Sequence, residues 1–364
     1  MNLIRQSFIK RILSMNTELK TNHKQDNNTV ILSLTPKGDL LNHRLKGDHY
    51  TSKIIKEHGG IMACVKACFN QVTCMVFICA TGIAVRAIGK LIEDKYKDPA
   101  VLVIDEEGRY VISLLSGHLG GGNAYAKEIG KLINADPIIT TSTDVNDVGS
   151  LDLLLQACHC DVPKYRDNIL KINMALIKGE SIGLYCDIGP GDTRLEPYLK
   201  GFTLEEDFQI FIEMSADYKV YIGYDTRQIN KLSQKDLYFI PKVLCLGTGT
   251  RKNLDTSVYF HELATYLKAV HIHPSAIALL TSVEIKSQEP CLEALCQAWS
   301  LESLFFTVQD LESVHNEFDK SEWVLKTLGI GSVAGPSAWL ASKGNMIHDG
   351  SKMKGSTFAL GRIV

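Results

Sequence analysis

Eight residues, Ser116-Gly-His-Leu-Gly-Gly-Gly-Asn123, hold four glycines and constrain the fold more than any other stretch of the chain. Inside a helix or strand each glycine costs roughly 0.5–1 kcal/mol relative to alanine, so this cluster serves backbone shape. Tyr110 to Leu115 before it is apolar and β-prone, and Ala124 to Leu132 after it carries apolar residues at helical spacing. The glycines therefore mark a strand-to-helix turn. Such a turn presents backbone N–H groups and a partial positive charge, and favours an anionic ligand group. His118 lies inside it, able to exchange protons near neutral pH, although a histidine there can also simply cap the turn.

Similar units recur along the chain. Val30 to Leu34 reads as a buried strand followed by a Thr-Pro-Lys-Gly turn and a polar connector, and Lys53 to Asn70 has helical spacing broken by Gly59 and Gly60. Val72 to Ala80 is a continuous apolar run of the buried parallel-strand type, ending in Thr81-Gly82 before a helix that carries Arg86. Val101 to Ile104 and Tyr110 to Leu115 flank Asp105-Glu-Glu-Gly108, a hairpin signal. Pro137 to Thr143 predicts a further strand ending at Asp144, and Val148 to Cys158 a returning helix. In open α/β sheets ligands bind outside the carboxyl ends of the strands. The turns after Ala80, Leu115 and Thr143 are thus expected to converge on one sheet edge.

The expected architecture is α/β, with two α/β sheet domains joined by a smaller α+β linking domain. Residues 29–160 form the N-terminal domain, 161–240 the linking domain and 241–364 the C-terminal domain. Residues 1–28, a short basic piece and a polar tail, are expected to be a disordered extension, with neither the apolar core of a signal peptide nor the length of a membrane span. In the linking domain, short strands alternate with Gly-Pro-Gly and Tyr-Asp-Thr turns. In the last domain Val243 to Leu246 predicts a strand running into a Gly247-Thr-Gly-Thr-Arg251 turn.

Composition narrows the function. A formal net charge of −2 gives no global case for nucleic acid, and ten cysteines in 364 residues, mostly in apolar runs, fit a reducing cytoplasm better than a disulfide scaffold. Gly247-Thr-Gly-Thr lacks the third glycine of a dinucleotide fingerprint and the lysine of a P-loop. Ser116-Gly-His118 is not a nucleophile elbow. Neither Cys158-His-Cys160 nor His271-Ile-His273 has a partner pair at zinc-site spacing, so no metal site is expected. Lys242, Arg251, Lys252, Lys286, Lys343, Lys352 and Lys354 make the last domain locally basic, which is either a solvated face or a surface for a polycarboxylate.

Four segments, Ala80-Thr-Gly-Ile-Ala-Val-Arg86, Asp98-Pro-Ala-Val, Leu114-Leu-Ser-Gly-His-Leu-Gly-Gly-Gly-Asn123 and Ile139-Thr-Thr-Ser-Thr-Asp144, closely resemble the cobalt-precorrin-5A hydrolase family of anaerobic cobalamin biosynthesis. Lys164 to Gly183 resembles the family's central region. The segment 241–364 resembles its C-terminal domain through the Gly-x-Gly-x-Arg251 turn, Ser282 with Lys286 and Glu289, and Gly355-x-Thr357.

The resemblance implies a cytoplasmic enzyme that opens the ring A δ-lactone of a cobalt-corrin intermediate and releases a two-carbon fragment as acetaldehyde. It implies no cofactor beyond the cobalt carried by the substrate, with neighbouring pathway enzymes as partners and no nucleic acid or membrane. A non-catalytic carrier of corrinoid intermediates is the alternative. Attack of water on a carbonyl requires a base and donors for the developing oxyanion. His118 is the candidate base, Asp144 its orienter or the base itself, and Thr81 a donor. Gly82, Arg86, Ser116, Gly117, Gly120, Gly121, Gly122, Asn123, Thr141, Thr143, Arg251 and Lys286 are the candidate substrate-binding residues. The C-terminal part departs from the family pattern: Thr250 replaces the usual cysteine, Val333-Ala-Gly-Pro-Ser-Ala338 the usual Val-Cys-Glu-x-Ala-Ala, and Gly350 the lysine before the last strand.

Overall fold

The computed structural model describes residues 28–188, 193–314, 317–318 and 329–363. The extension expected over residues 1–28, save Asn28, and the Gly-Pro-Gly turn lie outside the described residues.

The first sheet contains β1 (Thr29–Ser33), β2 (Asp48–Tyr50), β3 (Cys74–Ile78), β4 (Ala100–Ile104), β5 (Tyr110–Leu115) and β6 (Asp136–Ile138), in the order β2-β1-β3-β4-β5-β6. Every residue of β3 and β4 is buried, because apolar layers cover both faces of the sheet. One pair breaks the parallel arrangement. The carboxylate of Asp105 accepts amide hydrogens from Glu107, Arg109 and Tyr110, tightening the hairpin that sends β5 back antiparallel to β4, with Val101 opposite Leu115 and Ile104 opposite Val111. β6 then runs parallel to β5. Consequently β5 and β6 end at the sheet edge where β3 and β4 begin. The Thr35-Pro36 stretch is no mere turn either: the Thr35 hydroxyl accepts from the Gly38 amide and starts a helix over Pro36–Asn42.

The smaller middle domain is built on β7 (Ile182–Cys186), β8 (Phe202–Leu204), β9 (Tyr218–Ile222) and β10 (Leu237–Phe239), all parallel, in the order β10-β9-β7-β8. Its core joins Leu151, Leu154 and Leu155 to Ile169, Ile172 and Leu176 and to Leu184, Val220 and Phe239. The helix Leu151–Ala157 therefore packs here, ahead of the boundary expected after Cys160, because its leucines face the apolar side of the helix Arg166–Lys178. Gly179, at φ 73°, closes that second helix.

The third sheet, β13-β12-β11-β15-β14, contains β11 (Leu244–Thr250), β12 (Ile277–Val283), β13 (Glu302–Phe306), β14 (Met346–Lys352) and β15 (Ser356–Arg362). β15 is inserted antiparallel between β11 and β14. The Gly247-Thr-Gly stretch, expected to turn, instead stays in β11, with Gly247 opposite Ala359 and Gly249 opposite Thr357. The helix Ala334–Ser342 lies so close that a Cβ on Gly247 would fall 2.0 Å from the carbonyl oxygen of Ala334. Among the described residues no helix is long and apolar enough to cross a membrane.

Candidate active site

The glycine-rich loop is wound on itself. Ser116 adopts φ 53°, unusual for a residue with a side chain, and its hydroxyl donates to the Asp98 carbonyl at 3.0 Å. The amides of Gly121, Gly122 and Asn123 donate to the carbonyl oxygens of His118, Ser116 and Gly117 at 2.8, 3.1 and 2.8 Å. Those amides, offered to an anionic ligand by the sequence, are used inside the turn. The glycines are required by the same tight winding: a Cβ on Gly117 would lie 2.6 Å from Asn123 Oδ1, one on Gly120 2.5 Å from Ser116 Cβ, and one on Gly122 3.0 Å from Ser113 Oγ. Gly121, at φ 79°, turns the chain into the helix Gly122–Ile133.

What the loop displays is His118. Its Nε2 lies 3.1 Å from Asp144 Oδ2 and 3.0 Å from Thr143 Oγ1, and its Nδ1 lies 3.3 Å from Asp152 Oδ2. The imidazole is thus held between two carboxylates. Side-chain exposure distinguishes them, at 16% for His118, 28% for Asp144 and 6% for Asp152. Asp144 Oδ2 also accepts from Thr141 Oγ1 at 2.7 Å and Asn123 Nδ2 at 3.0 Å, while Lys127 Nζ approaches Oδ1 at 3.3 Å. Asn123 Nδ2 donates to Thr141 Oγ1 as well, at 2.8 Å, and its buried Oδ1 has no hydrogen-bond partner. Asp152 Oδ1 accepts from Ser150 Oγ and, at 3.2 Å, from Asn173 Nδ2.

These contacts set the protonation states. Burial works against a charged imidazole, yet the hydrogen bonds and charges of Asp152 and then Asp144 outweigh it and hold His118 above the ordinary histidine value. Burial likewise opposes ionisation of Asp144, but Thr141, His118 and Lys127 hold it below the usual carboxylate range. Asp152 is depressed further, its burial outweighed by His118, Ser150 and Asn173. An imidazole whose one nitrogen is fixed by a buried carboxylate and whose other faces a more open one can take up and return a proton.

The structure brings together His118, Asp144, Ser116, Asn123, Thr141 and Thr143 with the four glycines, and separates the rest. Thr81, Gly82 and Arg86 sit beyond the end of β3, on the opposite edge of the sheet from the His118 loop. Five residues of strand, about 16 Å at roughly 3.3 Å each, lie between the two edges. The expected convergence of three turns fails because the hairpin reverses β5. Arg86 folds its guanidinium back over Gly82, Nη2 lying 3.6 Å from where a Cβ there would stand.

In the C-terminal domain Arg251 is exposed beyond β11, its amide donating to the Gly355 carbonyl at 2.9 Å. Lys286 bonds Glu289 at 2.7 Å, and the other Glu289 oxygen accepts from the Asn253 amide at 3.0 Å. Lys286 thus ties the loops after β11 and β12 together, where the sequence offered it to substrate. Thr250 Oγ1 is buried without a hydrogen-bond partner, Gly335 packs against the Phe318 ring, and Gly350 stands in β14 at φ 146°. Among the described residues no cluster of three or more His, Cys, Asp or Glu side chains is arranged to hold a metal ion.

Sequence reasoning missed Asp152. A carboxylate within the apolar run Leu151-Asp-Leu-Leu-Leu155 was the only local signal.

Fold and site together define an α/β protein of three sheets, with a histidine held between two carboxylates where the first two units meet. Residues 63–144 match the family profile described as cobalamin synthesis G N-terminal, and residues 244–361 the one described as cobalamin synthesis G C-terminus. The chain is 34% identical over 342 residues to a cobalt-precorrin-5A hydrolase of Salmonella typhimurium, covering 91% of this chain and 97% of the relative. With a cobalt-precorrin-5A hydrolase of Priestia megaterium it shares 25% identity over 317 residues, 85% of this chain and 84% of the relative. A crystal structure of a cobalamin biosynthesis protein G homologue from Sulfolobus solfataricus covers 93% of this chain and 98% of that chain, at 19% identity and a TM-score of 0.36. The chain belongs to the cobalt-precorrin-5A hydrolase family.

Proposed function

We propose that this protein hydrolyses cobalt-precorrin-5A, opening the ring A δ-lactone and releasing acetaldehyde to give cobalt-precorrin-5B. The observation that carries the reading is the nearly full-length match to the Salmonella typhimurium hydrolase, with the resemblance motifs intact around His118. In it, the neutral imidazole takes a proton from water at Nε2 while the water oxygen bonds to the lactone carbonyl carbon. The ring oxygen leaves and collects a proton as a hydroxyl. Deprotonation of that hydroxyl lets the carbon–carbon bond break: the hydroxyl-bearing carbon departs as the carbonyl carbon of acetaldehyde, and the electron pair stays on the macrocycle carbon that held the fragment, which is then protonated. Asp144 and Thr143, which face Nε2, yield that nitrogen to water. Cobalt arrives with the substrate, and the chain supplies no cofactor of its own.

A carrier that only binds the intermediate is not favoured, since the relatives that match along the chain are hydrolases. Purified protein incubated with cobalt-precorrin-5A should release one acetaldehyde per substrate with formation of the ring-opened product. Tight binding with acetaldehyde only at the uncatalysed rate would overturn the proposal.

A further inference from the structure

His118 belongs to the N-terminal domain, but the most buried of its partners does not. Asp152 sits on the helix Leu151–Ala157, whose Leu151, Leu154 and Leu155 are part of the middle domain's core, and it lies beyond residue 144, where the matched N-terminal family span ends. Asn173, on the helix Arg166–Lys178, fixes this arrangement twice: its Nδ2 donates to Asp152 at 3.2 Å and its Oδ1 accepts from the Leu151 amide at 2.8 Å. The neighbour of His118, Leu119, packs against the same core, and its carbonyl oxygen accepts from Gln156 Nε2 at 3.4 Å. The tip of the glycine-rich loop is therefore docked on the middle domain at the point where Asp152 meets the imidazole.

We infer that Asp152 is a positioning residue for His118: by accepting from Nδ1 it fixes the tautomer that leaves Nε2 to work, so the middle domain completes a site whose histidine the N-terminal domain carries. A carboxylate buried against one imidazole nitrogen stabilises the imidazolium that forms when the other nitrogen takes a proton. Asp144 cannot fill this place, because it lies against Nε2 and its Oδ2 is also occupied by Thr141 and Asn123. The charged groups at the imidazole are Asp152 from the middle domain, Asp144 from the short helix Ser142–Val145, and, through Asp144, Lys127 from the helix Gly122–Ile133.

The inference rests on His118 carrying the proton in the proposed hydrolysis, so its test begins with a measurement that needs no substrate. In the full chain, Asp152→Asn should lower the His118 pKa, read by NMR of the imidazole carbons, by about one pH unit or more, as expected on loss of an adjacent opposite charge. In the assay the same variant should lose at least about tenfold in kcat with KM little changed, and the acidic limb of its pH profile should move to lower pH. Asp152→Glu should restore part of both. Leu155→Ala, which loosens the same helix without touching His118, is the structural control: it should lower Tm and leave the imidazole titration in place. An unchanged His118 titration in a folded Asp152→Asn overturns the inference. A shifted titration in an enzyme that releases no acetaldehyde even as wild type would sustain the pairing and sink the hydrolytic reading instead.

Discussion

The chain has two glycine-rich stretches that look alike in sequence and do opposite things. From Ser116 to Asn123 the glycines let a loop fold on itself, with three of its amides bonded internally, and the result holds one histidine outward between two aspartates. From Gly247 to Gly249 they let a strand lie flat beneath a helix, because a Cβ on Gly247 would meet the Ala334 carbonyl oxygen at 2.0 Å. Glycine therefore reports that something comes close. What comes close is decided by tertiary partners, and only the first stretch brings a proton-exchanging side chain with it.

If that contrast holds, changes in the first stretch should damage chemistry and changes in the second should damage stability. His118→Ala is expected to have the largest effect, lowering kcat by about 10²–10⁴-fold with KM little changed, the loss typical for a general base. Wild-type turnover at saturating substrate would break the comparison. The pH profile sharpens it: the base must be neutral and its pKa is raised by Asp152 and Asp144, so activity should fall as pH drops through a value above the ordinary histidine pKa of about 6.5. Stability linked to the same group runs the other way, being fully present below the unfolded value and lost as pH rises through the folded one.

On the stability side, Lys286→Met leaves Glu289, whose side chain is only 9% exposed, without its cation. Stranding a buried charge in this way costs about 3–5 kcal/mol, measurable as a lower denaturant midpoint. Retained stability would show that Lys286 is free for substrate after all. Gly247→Val should destabilise by at least about 1–3 kcal/mol through overpacking against the helix Ala334–Ser342, with kcat of the protein that folds unchanged. A normal Tm joined to lost turnover would transfer Gly247 from packing to chemistry.

Much of this was legible in the sequence where a local rule settles the matter. The run at β3 reads as a buried strand and those at β4 and β5 as the arms of a hairpin, while His118 and Asp144 were joined through the family resemblance. The edge reversal was legible too, since the hairpin at Asp105 to Gly108 requires β5 to return antiparallel, although reading each strand-to-helix turn alone hides it. Asp152 was not legible as a partner, because its contact with His118 exists only once two domains dock. Nor was the helix at Pro36, whose Thr-Pro opening serves equally as a turn signal and as a cap.

The smallest expected effect tests that edge reversal. Thr81 to Arg86 carries a family motif as pronounced as the His118 loop, yet it sits at the far end of β3, about 16 Å of strand away. Arg86 is exposed and curls over its own helix start, so Arg86→Ala removes a surface contact and should change stability by no more than about 0.5 kcal/mol. If hydrolysis occurs at the His118 edge alone, kcat should stay within about twofold of wild type, and loss of one charge-assisted contact to a substrate arm would appear only in KM. A kcat loss approaching that of His118→Ala would mean that both edges serve the chemical step, either because the macrocycle reaches around the end of the sheet or because the two edges approach each other in the bound state. A double variant separates those outcomes from coincidence: independent edges give multiplied losses, whereas one shared step makes His118→Ala mask Arg86→Ala.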